Sequence, residues 1–191
     1  LLEVELKAWA DLDAARARLE ALGKKPAKET PSVKEDLYFC GPETDPRTCD
    51  PRRDRIVRLR LEGDETVATA KRKSIERGVE TNEEIEVTVA PAASFRSLLG
   101  YLGYRPFLQK RKESRVYVWA GSTHVELNRI AGLGDFVEVE TLAPLATAGE
   151  DLERVRADLR AILATLGIDE ARIEPRPYMD LLRERGVGLA S

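Results

Sequence analysis

The chain has 191 residues, enough for one domain or two fused halves. Apolar residues make up 42 % of it and charged residues 34 %, so it can bury a core while carrying more charge than the globular average of about 25 %. The net charge is only −3, which argues against the basic excess of a nucleic-acid binder, and no run of about 18 apolar residues exists to span a membrane.

Strict alternation over Glu3-Val4-Glu5-Leu6-Lys7 predicts a strand with Glu3, Glu5 and Lys7 on one face. The first residues lack the basic and apolar regions of a secretory leader, so a cytoplasmic location is expected. Asp11 is placed to cap a helix carrying Leu12, Ala15, Leu19 and Leu22 that stops at Gly23. The stretch 40–55, rich in proline, glycine and charge, reads as a surface loop between strands. It holds the only cysteines, Cys40 and Cys49. They are a local disulfide or two incidental thiols, and a cytoplasmic setting favours the thiols. With one histidine in the chain and a cysteine spacing that matches no zinc motif, a zinc site is not expected.

Next, residues 56–61 put Arg58 and Arg60 on one face, and 67–73 form a strand-like run carrying Lys71. Residues 84–89 group Glu84 with Glu86. A helix is predicted over 92–102, with Phe95, Leu98, Leu99 and Leu102 as its stripe. The basic run 110–115 and the segment 115–119 are strand-like. Lys112 shares a face with Ser114, so Arg115 needs a bulge to join it. His124, Glu126 and Asn128 lie together on the next strand, and Glu138 with Glu140 on the one after. A helix over 150–166 carries Leu152, Val155, Leu159, Ile162, Leu163 and Leu166, with acidic residues in its first turn. A short helix is predicted over 178–185.

Glu-x-Glu strands at 3/5, 84/86 and 138/140 are each followed by a helix ending in Leu-Gly. This echo predicts two pseudo-symmetric half-barrels, roughly 1–80 and 81–191, within a single domain. An ordinary sheet wets its charged face. Here at least five strands carry a charged face, segregated by sign: glutamates at 3, 5, 84, 86, 138 and 140, and cations at 7, 58, 60 and 71. Closing the strands into a barrel turns apolar residues out under helices and charges into the lumen. Charges there are costly unless paired or liganded. A polyanion with divalent cations satisfies both signs, carboxylates taking the metal and Lys or Arg the phosphate oxygens.

Glu3-x-Glu5-x-Lys7 resembles the E-x-E-x-K signature of the CYTH superfamily, the triphosphate tunnel metalloenzymes. The resemblance covers most of the chain. Arg58-Leu59-Arg60, Lys71, Glu84-Ile85-Glu86-Val87 and the late 132–140 Gly-Leu-Gly-Asp-Phe-Val-Glu-Val-Glu stretch follow in the family's order. The late stretch, with the 174–182 segment, is most similar to the class IV adenylyl cyclase-like branch. What the resemblance implies is an α+β fold: a closed antiparallel barrel of about eight strands, helices outside, and a charged lumen.

It also implies a divalent-metal-dependent enzyme acting on a triphosphate. That enzyme turns ATP into cyclic AMP and pyrophosphate or, alternatively, hydrolyses inorganic, thiamine or nucleoside triphosphate. A polyphosphate- or nucleotide-binding module without catalysis is the third reading. Glu3, Glu5, Glu138, Glu140, Glu84 and Glu86 are the expected ligands of Mg²⁺ or Mn²⁺. Arg58, Arg60, Lys71, Lys112 and Arg115 are the expected phosphate contacts, and Lys7 the expected base or charge stabiliser. Asn128 stands where the family usually has Asp, and Glu126 on the same face is a candidate to compensate. Trp9, Trp119, Tyr38 and Tyr117 are candidates to stack on adenine or to pack helices on the barrel, and His124 is weighed chiefly as structural. No nucleic-acid or membrane partner is expected, and the chain is expected to be a monomer or homodimer.

Overall fold

The computed structural model describes residues 2–50, 52–76, 79–144 and 146–188, with backbone alone between 71 and 84. These residues form eight strands: β1 (Leu2–Trp9), β2 (Ser32–Cys40), β3 (Ile56–Glu62), β4 (Glu65–Glu76), β5 (Val79–Thr88), β6 (Arg105–Ala120), β7 (Thr123–Ile130) and β8 (Gly134–Ala143). Four α-helices accompany them: α1 (Leu12–Ala21), α2 (Ala92–Tyr101), α3 (Gly149–Thr165) and α4 (Tyr178–Glu184). The strands close into a barrel in the order β1-β5-β4-β3-β2-β6-β7-β8, with β8 returning to β1 and every pairing antiparallel. Closure leaves no sheet edge to protect.

The alternation in β1 explains the layering. Val4, Leu6 and Ala8 face outward and are buried with Leu159, Ile162 and Leu163 of α3, with Leu166 at its C-cap, and with Ala15 and Leu19 of α1. Each such leucine contributes about 1.5–3 kcal/mol when fully buried. The intervening Glu3, Glu5 and Lys7 face the bore. The barrel wall is therefore apolar outside and ionic inside, the reverse of a solvated sheet.

Asp11 caps α1, its carboxylate accepting from the Asp13 and Ala14 amides at 2.9 and 3.1 Å. Helices α1, α2 and α3 all run into Leu-Gly. Gly23, Gly103 and Gly167 adopt positive φ, so the next amide reaches back to the last turn, as Lys24 does to Leu19 O. On α2 the expected stripe is only half used. Leu99 is buried over Phe39, Leu59 and Ala68, while Leu98 and Leu102 stay about half exposed because the helix meets the barrel along one narrow line.

The segment 40–55 is not a free surface loop. Its described residues pack across one end of the barrel against α4, burying Cys40 and Cys49 as free thiols. Arg183 donates to the carbonyls of Pro46 and Cys49, Arg105 donates to Thr44 O, and Arg52 pairs with Asp180 at 2.9 Å. Before α4, residues 173–174 lie along β1, and Glu174 accepts from Trp9 and Arg176. Tyr178, Met179, Leu181 and Leu182 pack α4 onto Tyr38, Phe107 and Phe136, closing that end. Among the described residues no helix is long and apolar enough to cross a membrane.

Candidate active site

A cavity of about 290 Å³ runs inside the barrel, floored by Pro177, Tyr178 and Met179 of the C-terminal segment. It is near the lower end of the size range for small-molecule sites. Its polar lining comes from residues of all eight strands. The structure thus brings Glu3, Glu5, Lys7, Arg58, Arg60, Glu86, Lys112, Glu126, Glu138 and Glu140 around one space.

Glu5 and Glu140 face each other across the β1–β8 ladder, and Glu3 lies one pleat along. Carboxylate oxygens of Glu3, Glu5 and Glu140 all fall within 4.8 Å of one another. Burial first, then the charges of Glu126 and Glu3, push Glu140 up to about 8. Such crowding is what a hard divalent cation relieves, through oxygen ligands alone. The donor set therefore fits Mg²⁺ or Mn²⁺.

Glu138 is placed differently from that trio. With Glu126 it accepts from Lys112, at 2.9 and 2.7 Å respectively, and the Asn128 amide nitrogen donates to both carboxylates. Burial opposes every charge in this group. For Lys112 it is outweighed by Glu126 and Glu138, which raise the ammonium, and for Glu126 by Lys112 and Lys34, which hold the carboxyl well below its ordinary value. Asn128 is thus a donor between two carboxylates, a task that an ionised Asp cannot perform.

A second cluster gathers on Asp36. Arg60 reaches it with a two-bond fork at 2.7 and 3.0 Å, Lys110 at 3.1 Å, and the Tyr38 hydroxyl donates at 3.2 Å. Burial pushes Lys110 down to about 8; Asp36 opposes this, while Lys112 and Arg60 add to it. Nearby, Arg58 donates to Thr69 at 2.9 Å and to Glu86 at 3.3 Å. The Lys7 ammonium stands 5.4 Å from the centre of the Tyr178 ring, and Lys110 5.2 Å from it.

Arg115 is a correction. The β6–β7 register runs without a shift from Lys112 to Val118, so no bulge turns Arg115 inward. It stays on the outer face and donates to Glu29 O. Lys71 and Glu84 are opposite each other in the β4–β5 ladder, and their side chains lie outside the described residues. Of the four candidate aromatics Tyr38 lines the cavity. Tyr117 and Trp119 pack outside with the α1–α3 core, and Trp9 stacks on Phe136 beneath α4, ring centres 4.0 Å apart. His124 lies 3.9 Å from Glu140.

The sequence reading missed Lys34, Lys110 and Tyr178 as lining residues, and Asp36 as the buried acid behind Arg60 and Lys110. Lys34, Asp36 and Tyr38 do alternate, but Glu35 between them blurred the pattern. Lys110 is two residues from Lys112 and shares its face, which the run of adjacent charges obscured.

Comparison with known proteins agrees with this architecture. Adenylate cyclase CyaB of Aeromonas hydrophila is 29 % identical over 188 residues, covering 95 % of this chain and 89 % of that protein. The solved structure of PH1819 from Pyrococcus horikoshii superimposes with a TM-score of 0.80 at 26 % identity, over 96 % of this chain and 99 % of that one. HpAC1 from Hippeastrum shares the fold at 20 % identity, with a TM-score of 0.67 over 97 % of this chain and 96 % of that one. Residues 1–178 match the CYTH domain, a span from β1 to the first residue of α4. The chain belongs to the CYTH family.

Proposed function

We propose that this protein is a divalent-metal-dependent enzyme of the class IV adenylyl cyclase type, converting ATP to cyclic AMP and pyrophosphate. The observation that supports it is the sorting of charge within one closed lumen: a carboxylate trio, Glu3, Glu5 and Glu140, and a cationic set, Arg58, Arg60, Lys110 and Lys112. The trio would hold Mg²⁺ or Mn²⁺, which when bound neutralises charge on phosphate oxygens. Arg58 and Arg60 offer guanidinium N–H groups to the same oxygens, and Lys110 and Lys112 act as point charges. Glu126, Glu138 and Asn128 keep Lys112 in place. In this reading the ribose 3′-hydroxyl attacks the α-phosphorus and pyrophosphate leaves. Lys7 stabilises charge at the floor, and Lys110, with a pKa of about 8, is able to exchange a proton near neutral pH. The side chains of Lys71 and Glu84 are assigned to phosphate and metal by family resemblance alone.

Hydrolysis is the second reading, because HpAC1, which shares the fold, is described as having a dominant triphosphatase activity. Incubation with ATP and Mn²⁺ or Mg²⁺, followed by product separation, decides between them. Cyclic AMP with pyrophosphate supports the cyclase. Orthophosphate release without cyclic AMP supports the hydrolase. Binding of ATP and of inorganic triphosphate with no turnover under either metal leaves a binding module.

A further inference from the structure

Asp36 is an acid in a lumen that, on the proposed function, receives a polyanion. It sits on β2 opposite Arg60 of β3 on one side and Lys110 of β6 on the other. Its side chain has no solvent exposure. Arg60 contacts both carboxylate oxygens, and Lys110 and the Tyr38 hydroxyl share the second. Arg60 spends two of its five N–H groups on this fork and Lys110 one of its three, so each keeps donors for another acceptor. Both cations line the cavity.

We infer that Asp36 is the positioning residue of the anion site: it contacts no phosphate and instead holds Arg60 and Lys110 in the geometry that grips one. This rests on the triphosphate reading. Two long cations that wandered would have to be ordered on binding; a carboxylate clamp orders them beforehand. Bare electrostatics makes the opposite prediction, since deleting a negative charge from the lumen should strengthen the binding of a polyanion. The sign of the effect therefore decides.

The test is calorimetric titration with inorganic tripolyphosphate, in EDTA and again with Mg²⁺, on the unmodified chain and on Asp36→Asn. Asp36→Asn is expected to bind roughly tenfold to a hundredfold more weakly, the effect of losing order in two long side chains. In an Arg60→Gln, Lys110→Met background the same change should cost nothing further, a cancellation that general destabilisation would not produce. Equal or tighter binding by Asp36→Asn, or an undiminished loss in that background, overturns the role. Should Asp36→Asn fail to fold, Tyr38→Phe removes only the hydroxyl bond to the carboxylate. A several-fold loss of affinity supports the clamp, and unchanged affinity overturns it. If the unmodified chain does not bind tripolyphosphate, the anion site falls and the clamp with it. If it binds and Asp36→Asn binds equally well, only the role of Asp36 falls.

Discussion

Replacing Lys112 with Met removes the cation that joins Glu126 to Glu138 and leaves its volume nearly unchanged. The two contacts are 2.7 and 2.9 Å long, and all three side chains are almost wholly buried. Breaking a buried pair costs about 3–5 kcal/mol, chiefly through the charge left behind. Lys34 at 3.4 Å from Glu126 and the Asn128 amide offset part of this, so about 3 kcal/mol is expected. For a domain of this length that lowers Tm by roughly 6–12 °C.

The pH dependence gives the sharper check. In the parent, Glu126 is held below its ordinary 4.5, so its contribution is present above that value and lost as pH falls through its folded pKa. In Lys112→Met, burial of Glu126 is opposed by Lys34, Asn128 and the Ser114 hydroxyl. The deficit should be largest near neutrality and shrink as pH falls from about 4.5, where Glu126 protonates in the unfolded chain, towards its lower folded pKa in the parent. Urea denaturation across this range measures it. A deficit under about 1 kcal/mol, the scale of an exposed pair, or one independent of pH, would refute the reasoning.

Metal-free Glu140→Gln should be more stable than the parent near pH 8 and equal to it near pH 4. Glu140 is raised to about 8, so its ionisation costs folded stability progressively as pH rises from about 4.5. The same variant should bind Mn²⁺ at least tenfold more weakly by calorimetry, roughly the loss seen even for residues behind a metal ligand, and equal binding would remove Glu140 from the metal site. The affinity of the parent for tripolyphosphate should weaken as pH rises through about 8, where Lys110 loses its proton and Glu140 gains its charge, and the fall should be shallower in Lys110→Met, which keeps only the Glu140 part. Leu182→Ala should cost about 2–5 kcal/mol in chemical denaturation, because Leu182 is buried in the core beneath α4, and a negligible loss would show that α4 is not a packed closure of the barrel.

Much of this molecule was legible before any coordinates. Period-2 alternation identified β1, β3, β5, β7 and β8, and Asp11 and the Leu-Gly pairs marked helix ends to within a residue or two. On β1, β3, β5 and β8 the inward face followed from sign segregation, because a row of glutamates beside a row of arginines has no reason to be sorted if water solvates both. The closing of the floor by α4 was not legible, since a short amphipathic helix does not declare which surface it will meet. Nor was the division of the carboxylates. Glu138 and Glu140 look equivalent along one strand, yet Glu138 meets Lys112 and Glu140 meets Glu3 and Glu5.

Alternation along a chain decides which face a side chain takes, and so the amino-acid order alone specified an ionic bore in an apolar sleeve. Which charges touch depends on the stagger between strands far apart in sequence: Asp36 joins residues 60 and 110 only because β2 lies between β3 and β6. Arg115 shows the same dependence, since one missing bulge in β6 keeps it outside. Ring closure sets those staggers collectively, so the pairing of charges, unlike their facing, came from the tertiary structure.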